Sequence, residues 1–113
     1  MKLLIVDDSE LLQMKINNYL IRSKEYLEIK QAFNIVRAKN LFYSFQPDTI
    51  ILDIALPDGN GIDLLKRFKM ERPNVKIIIF TNYPTSEFKK KCLELGADHF
   101  VDKSNMTSLK DIL

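Results

Sequence analysis

The sequence predicts an α/β fold: a doubly wound, five-stranded parallel sheet with helices on both faces. Three observations predict it. Short apolar runs alternate with segments of helical length along the whole chain, the pattern of repeated β-α units joined by right-handed crossovers. The runs are rich in β-branched residues and do not alternate apolar with polar, as expected of strands covered on both faces. The length of 113 residues, with 46% hydrophobic and 28% charged, suits one compact domain spanning residues 1–113.

Taken in order, Leu3–Val6 reads as the first strand. The helix Ser9–Arg22 follows, with Ser9 as N-cap and Glu10 in the first turn, where a carboxylate suits the helix dipole. Leu12, Ile16, Tyr19 and Leu20 share its core face, while Leu11, Met14 and Ile21 lie opposite. Glu28–Phe33 is a weaker strand signal. Asn34–Phe45 is helical, with Phe42, Tyr43 and Phe45 at the core and its rim, and stops before Gln46-Pro47. Thr49–Leu52 is a strand, and the helix Asn60–Glu71 is closed by Arg72-Pro73. Val75–Phe80 is a strand, and Thr85–Leu95 a helix ending at Gly96. His99–Val101 is the last strand and Asn105–Leu113 a short last helix. For such a sheet the common order is 2-1-3-4-5, which places ligands at the carboxyl ends of the first and third strands, where the order reverses.

Composition narrows the function. Net charge is +2 from 17 basic and 15 acidic residues, too balanced to favour nucleic acid or an anionic membrane. The one cysteine, Cys92, forms no intrachain disulfide and suits a reducing compartment; it shares a helical face with Phe88 and Leu95 and reads as packing. No apolar run approaches the roughly 20 residues of a membrane span. The stretch before Asp7-Asp8 is too short for a signal peptide, so a soluble, cytoplasmic protein is expected. Lys89-Lys90-Lys91 reads as a solvated helix face, and the single histidine, His99, as a strand residue without a phosphodonor role.

The chemistry lies in how the strands end. The first run ends in Asp7-Asp8, the third-strand run in Asp53, the next in Thr81 and the last in Asp102-Lys103. A parallel sheet gathers these ends on one edge. Singly, Asp8 reads equally well as a helix cap, and Asp53 as part of the turn at Pro57-Asp58-Gly59. Together they are harder to dismiss: two carboxylates 5 Å apart repel by roughly 3 kcal/mol at an effective dielectric near 20. Three would be a net liability unless a cation or a proton offsets them, and Mg²⁺ is the fitting cation. An all-oxygen set without histidine or cysteine suits Mg²⁺ over zinc. An ammonium and a hydroxyl beside such a metal suit the equatorial oxygens of a phosphoryl group in transfer.

Four segments, Ile5-Val6-Asp7-Asp8-Ser9, Ile51 to Gly61, Ile79-Phe80-Thr81-Asn82 and Gly96 to Lys103, make the chain resemble the receiver domains of two-component response regulators, from Lys2 to about Met106. The resemblance implies the flavodoxin-like receiver fold and Asp53 as phosphoacceptor. It implies Asp8 as a direct Mg²⁺ ligand, Asp7 holding a metal-bound water, and the backbone carbonyl of Ala55 as a further ligand. Thr81 and Lys103 would bind phosphoryl oxygens, and Thr81 and Phe100 would form a switch that reshapes the face of the fourth helix, last strand and last helix. The phosphodonor would be a histidine kinase or histidine phosphotransfer protein docking on the first helix, where Leu11, Met14 and Ile21 offer an apolar patch. A downstream protein would read the switched face, and a homodimer is compatible with it. The expected role is signalling rather than turnover of a substrate.

Two departures stand out. Ser104 replaces the proline many members carry after the lysine, and a cis bond there would cost about 3 kcal/mol, so a trans bond is expected. Ala55 offers no side chain to orient an attacking water, while Tyr83 could partly cover an acyl phosphate, which implies slow to intermediate self-dephosphorylation. The alternative reading is an adapter of the same fold that never uses phosphate. A phosphate-ester hydrolase with an aspartyl nucleophile is disfavoured: the position for its leaving-group acid, two residues on, holds Ala55 after Asp53, or Ser9 after Asp7.

Overall fold

The computed structural model describes residues 1–22 and 28–113. Within them the chain runs β1 (Lys2–Val6), α1 (Glu10–Leu20), β2 (Glu28–Ala32), α2 (Ile35–Phe45), β3 (Thr49–Leu52), β4 (Ala55–Leu56), β5 (Gly59–Asn60), α3 (Gly61–Glu71), β6 (Lys76–Thr81), α4 (Ser86–Glu94), β7 (His99–Asp102) and α5 (Met106–Ile112). Five strands form one parallel sheet in the order β2-β1-β3-β6-β7. Numbering only those five gives the anticipated 2-1-3-4-5.

The helix starts follow from capping chemistry. Ser9, Asn34, Asn60, Thr85 and Asn105 each accept a hydrogen bond from a backbone amide two or three residues on, satisfying a donor that would otherwise face no partner. Such caps contribute about 1 kcal/mol each.

Successive strand residues point to opposite faces, so the apolar strands feed two cores. On one face Leu4, Val6, Leu52, Ile77 and Ile79 pack with α2 and α3, where Phe42 stacks on Phe68 at 4.0 Å between ring centroids. On the other, Leu3, Ile5, Ile51, Ile78, Phe80 and Val101 pack with Ile16 and Leu20 of α1 and Leu109 of α5. Cys92 is buried in the first core, as packing requires, and Lys89, Lys90 and Lys91 are solvent-exposed. No helix of the described residues is long and apolar enough to cross a membrane.

Besides shifts of one or two residues at the ends of elements such as α1, β2 and β7, three details differ from the sequence reading. Tyr19 is exposed rather than in the core of α1, and its ring lies 4.3 Å from Lys110 Nζ; Gln13 is buried in that helix instead. The fourth strand of the sheet extends one residue further than Phe80, so Thr81 pairs with Asp102 inside it. After Asp53 the chain makes a small antiparallel hairpin, β4 with β5, too short to leave a periodic signal. Asp58 at its tip accepts hydrogen bonds from the amides of Ile35 and Val36 at 2.8 and 3.2 Å, tying the turn to the start of α2. The Ile35 amide holds its carboxyl below the ordinary carboxylate value.

Candidate functional site

β1 and β3 are neighbours paired Val6 with Leu52, so Asp7 and Asp53 leave the sheet side by side. Their backbones are pinned there: the Asp7 amide donates to the Ala32 carbonyl and the Asp53 amide to the Val6 carbonyl, both at 3.0 Å. β7 delivers Lys103 to the same edge, its amide donating to the Thr81 carbonyl at 2.9 Å. The four segments singled out in the sequence therefore do converge.

Carboxylate oxygens of Asp7, Asp8 and Asp53 lie within 4.8 Å of one another, a group able to hold a metal ion. Asp7 and Asp53 are only 2% and 4% exposed, while Asp8 is open to solvent. Lys103 Nζ sits between the two buried acids, 2.7 Å from Asp7 Oδ2 and 2.8 Å from Asp53 Oδ2. Their other oxygens accept backbone amides, Asp7 Oδ1 from Ser9 and Asp53 Oδ1 from Ile54, each at 2.8 Å.

Burial pushes the Asp53 carboxyl up and the Asp7 charge adds to it, while the Lys103 contact only partly offsets them. Burial draws the Lys103 ammonium down, yet its two carboxylate contacts outweigh that and leave it above the usual lysine value. Lys103 thus carries a firm positive charge that makes the proximity of the acids tolerable. The donor set is oxygen only, with one exposed member, which fits a hard divalent ion that keeps part of its water shell. A cleft of about 590 Å³ lies elsewhere, at the opposite end of the strands beside Asp48, Thr49 and Lys76.

The remaining predicted residues fall as follows. Ala55 is exposed at the start of β4, two residues past Asp53. Thr81 is fully buried, and its Oγ1 accepts from the Tyr83 amide at 3.0 Å. Phe100 pairs with Ile79 and is half-buried against the same core as that residue. Side-chain alternation puts Thr81, two residues beyond Ile79, on the same sheet face as the Phe100 ring. The Lys103–Ser104 bond is trans, as expected. On α1 and at its C-cap, Leu11, Met14 and Ile21 are 63%, 55% and 73% exposed. Beside them a groove of about 240 Å³, lined by Ser9, Leu11, Leu12, Lys15, Asn82 and Lys103, reaches the site.

Two residues of the surroundings escaped the sequence reading as individuals. Gly61 lies so close to the end of β3 that an added Cβ would stand 1.9 Å from the Asp53 carbonyl oxygen. Gln13 is buried against the end of β1. A conspicuous glycine after an Asp-Gly-Asn turn could have flagged the first; nothing in the sequence marks the second.

A family model described as the response regulator receiver domain matches residues 3–113. Sporulation initiation phosphotransferase F of Bacillus subtilis is 32% identical over 111 residues, covering 97% of this chain and 88% of that protein. A cyclic di-GMP phosphodiesterase of Thermotoga maritima is 31% identical over 107 residues, covering 91% of this chain and 27% of that protein. Among solved structures, the signal receiver domain of a DNA-binding response regulator from Colwellia psychrerythraea superposes with a TM-score of 0.92 at 25% identity, covering 99% of this chain and 94% of that one.

Proposed function

We propose that this chain, which belongs to the response regulator receiver domain family, is a phosphoacceptor in two-component or phosphorelay signalling, taking a phosphoryl group from a partner histidine onto Asp53. The observation that carries the reading is the buried pair Asp7 and Asp53 held by one ammonium, with the exposed Asp8 beside them. A purely structural site has little reason to gather three carboxylates, whereas phosphoryl transfer needs a nucleophilic oxygen with positive charge around it.

Asp7, Asp8 and Asp53, with the Ala55 carbonyl, would hold Mg²⁺, which when bound offsets the negative charge of the entering phosphoryl oxygens. A carboxylate oxygen of Asp53 attacks phosphorus in line, and the bond to the donor's imidazole nitrogen breaks. Lys103, already beside Asp53 Oδ2, then faces the phosphoryl oxygens, and the Thr81 hydroxyl supplies a donor once it turns from the Tyr83 amide. Movement of Thr81 frees space on the sheet face it shares with Phe100, so the ring shifts and the surface of α4, β7 and α5 changes partner affinity. The exposed patch of Leu11, Met14 and Ile21 supports donor docking on α1. We read residues 1–113 as a single receiver unit, acting in the cytoplasm, where its donors work.

Incubation with Mg²⁺ and acetyl phosphate followed by intact-mass measurement tests the reading. One phosphoryl mass should appear in the wild type and be absent in Asp53→Asn. No gain in the wild type would leave the phosphate-independent adapter as the better account.

A further inference from the structure

Gln13 sits in the second turn of α1 and is not itself among the predicted ligands, yet it is 1% exposed. Its Nε2 donates to three main-chain carbonyls: Ile5 at 2.9 Å, and Asp7 and Ala32 at 3.1 Å each. A primary amide has two hydrogens for these three acceptors, so at least one is shared. Its Oε1 has no partner among the described residues. An unpaired buried oxygen is a cost. The side chain is therefore held in place by its donor end, and that end is aimed at the carboxyl edge of β1 and β2.

The Asp7 carbonyl belongs to the same rigid peptide plane as the Asp8 amide. The Asp7 amide is fixed by Ala32, its Oδ1 by the Ser9 amide and its Oδ2 by Lys103. Gln13 adds the last restraint, on the plane that leads into Asp8. Asp8 is exposed, so its side chain has little packing to orient it and depends on that plane.

We infer that Gln13 is a positioning residue for the divalent-cation site: it clamps the Asp7–Asp8 peptide and thereby pre-sets the Asp8 carboxylate. This rests on the functional reading above. A partner that orients a metal ligand typically sets metal affinity by ten- to a hundredfold.

Gln13→Met keeps the length and apolar stem of the side chain and removes the donor. Calorimetric titration with Mg²⁺ alone should show binding weakened roughly tenfold, while Ile16→Val, a core change in the same helix, keeps the wild-type affinity. Backbone amide exchange at Asp8 and Ser9 should quicken in metal-free Q13M and not in I16V. If the wild type binds no Mg²⁺, the functional reading fails and this one with it. If the wild type binds and Q13M binds as well as I16V does, the positioning role alone is overturned. Should Q13M not fold, wild-type NMR decides: the Gln13 side-chain amide hydrogens should exchange slowly and shift on Mg²⁺ addition. Exchange as fast as at the exposed Asn18 amide would overturn the inference.

Discussion

Replacing Gly61 by alanine measures how tightly the loop after Asp53 is built. Gly61 opens α3, and its amide closes the hairpin by donating to the Ile54 carbonyl at 2.6 Å. The new Cβ would meet the Asp53 carbonyl oxygen at 1.9 Å, the Asp53 carbonyl carbon at 2.9 Å and Ile54 Cα at 3.1 Å. Ordinary contact begins at 3.4 Å, so the oxygen and the methyl must separate by about 1.5 Å more. All three atoms are main chain, so no rotamer change relieves the overlap. The segment presenting Asp53 must move, and a movement of that size breaks the Gly61–Ile54 hydrogen bond. Overpacking of about 1–3 kcal/mol and a lost buried hydrogen bond of about 1 kcal/mol or more together predict a loss near 3 kcal/mol. That is a large share of the roughly 5–15 kcal/mol that stabilises a domain. Urea unfolding followed by far-ultraviolet circular dichroism gives the loss, and intact mass after acetyl phosphate gives the chemistry. Gly96→Ala is the comparison: its φ is +100°, but its nearest neighbour is the flexible Lys69 side chain at 3.4 Å. It should lose only about 1–2 kcal/mol from backbone strain and still accept phosphate. G61A no less stable than G96A, with wild-type phosphate uptake, would refute the reasoning.

Lys103→Met should destabilise the metal-free protein by about 3 kcal/mol, because Asp7 and Asp53 lose their shared cation in a buried site, and Mg²⁺ should restore part of the loss. Melting curves in chelator and in Mg²⁺ check this, and an identical loss in both would count against it. Asp98 Oδ2 accepts from Lys69 Nζ and from the Ile77 amide, both at 2.8 Å. Burial raises its carboxyl, but these contacts outweigh that and hold it below the ordinary value of 3.8. The folded state then binds this proton less tightly than the unfolded chain, so the stabilisation is present above the ordinary value and disappears as pH falls through the lower folded one. Asp98→Asn should lose about 1 kcal/mol at neutral pH, discounted because the carboxylate is 40% exposed, and the gap to wild type should close in acid; a gap independent of pH would exclude the carboxylate's charge as its source. Leu11→Ala with Met14→Ala should slow transfer from a cognate histidine donor while sparing uptake from acetyl phosphate, and equal slowing in both assays would remove the docking role.

What the sequence made legible was the information carried by side-chain type at fixed periods. Strand order and the meeting of Asp7, Asp8, Asp53 and Lys103 follow from runs that must be buried on both faces, because a parallel sheet leaves only one edge for residues that end such runs. Ser9 was legible as a cap, and the residues that open the other helical segments, Asn34, Asn60, Thr85 and Asn105, cap them in the structure, each meeting a local need of the backbone. Tyr19 was misassigned because it lies at helical spacing from Ile16, yet its ring serves as a platform for Lys110 from a helix far along the chain. Gln13 was hidden for a deeper reason. A polar residue on an amphipathic helix reads as solvent-facing, and its actual partners are carbonyls, which every residue carries and no sequence displays. The same holds for Gly61, whose role is defined by the approach of the Asp53 carbonyl rather than by any side chain. The charged side chains of such a site are therefore written in the sequence, whereas the main-chain scaffold that aims them becomes visible only once the edge of the sheet is assembled. The discriminating mutations lie in that scaffold: substituting a ligand tests whether the acids matter, while substituting Gln13 or Gly61 tests whether their placement does.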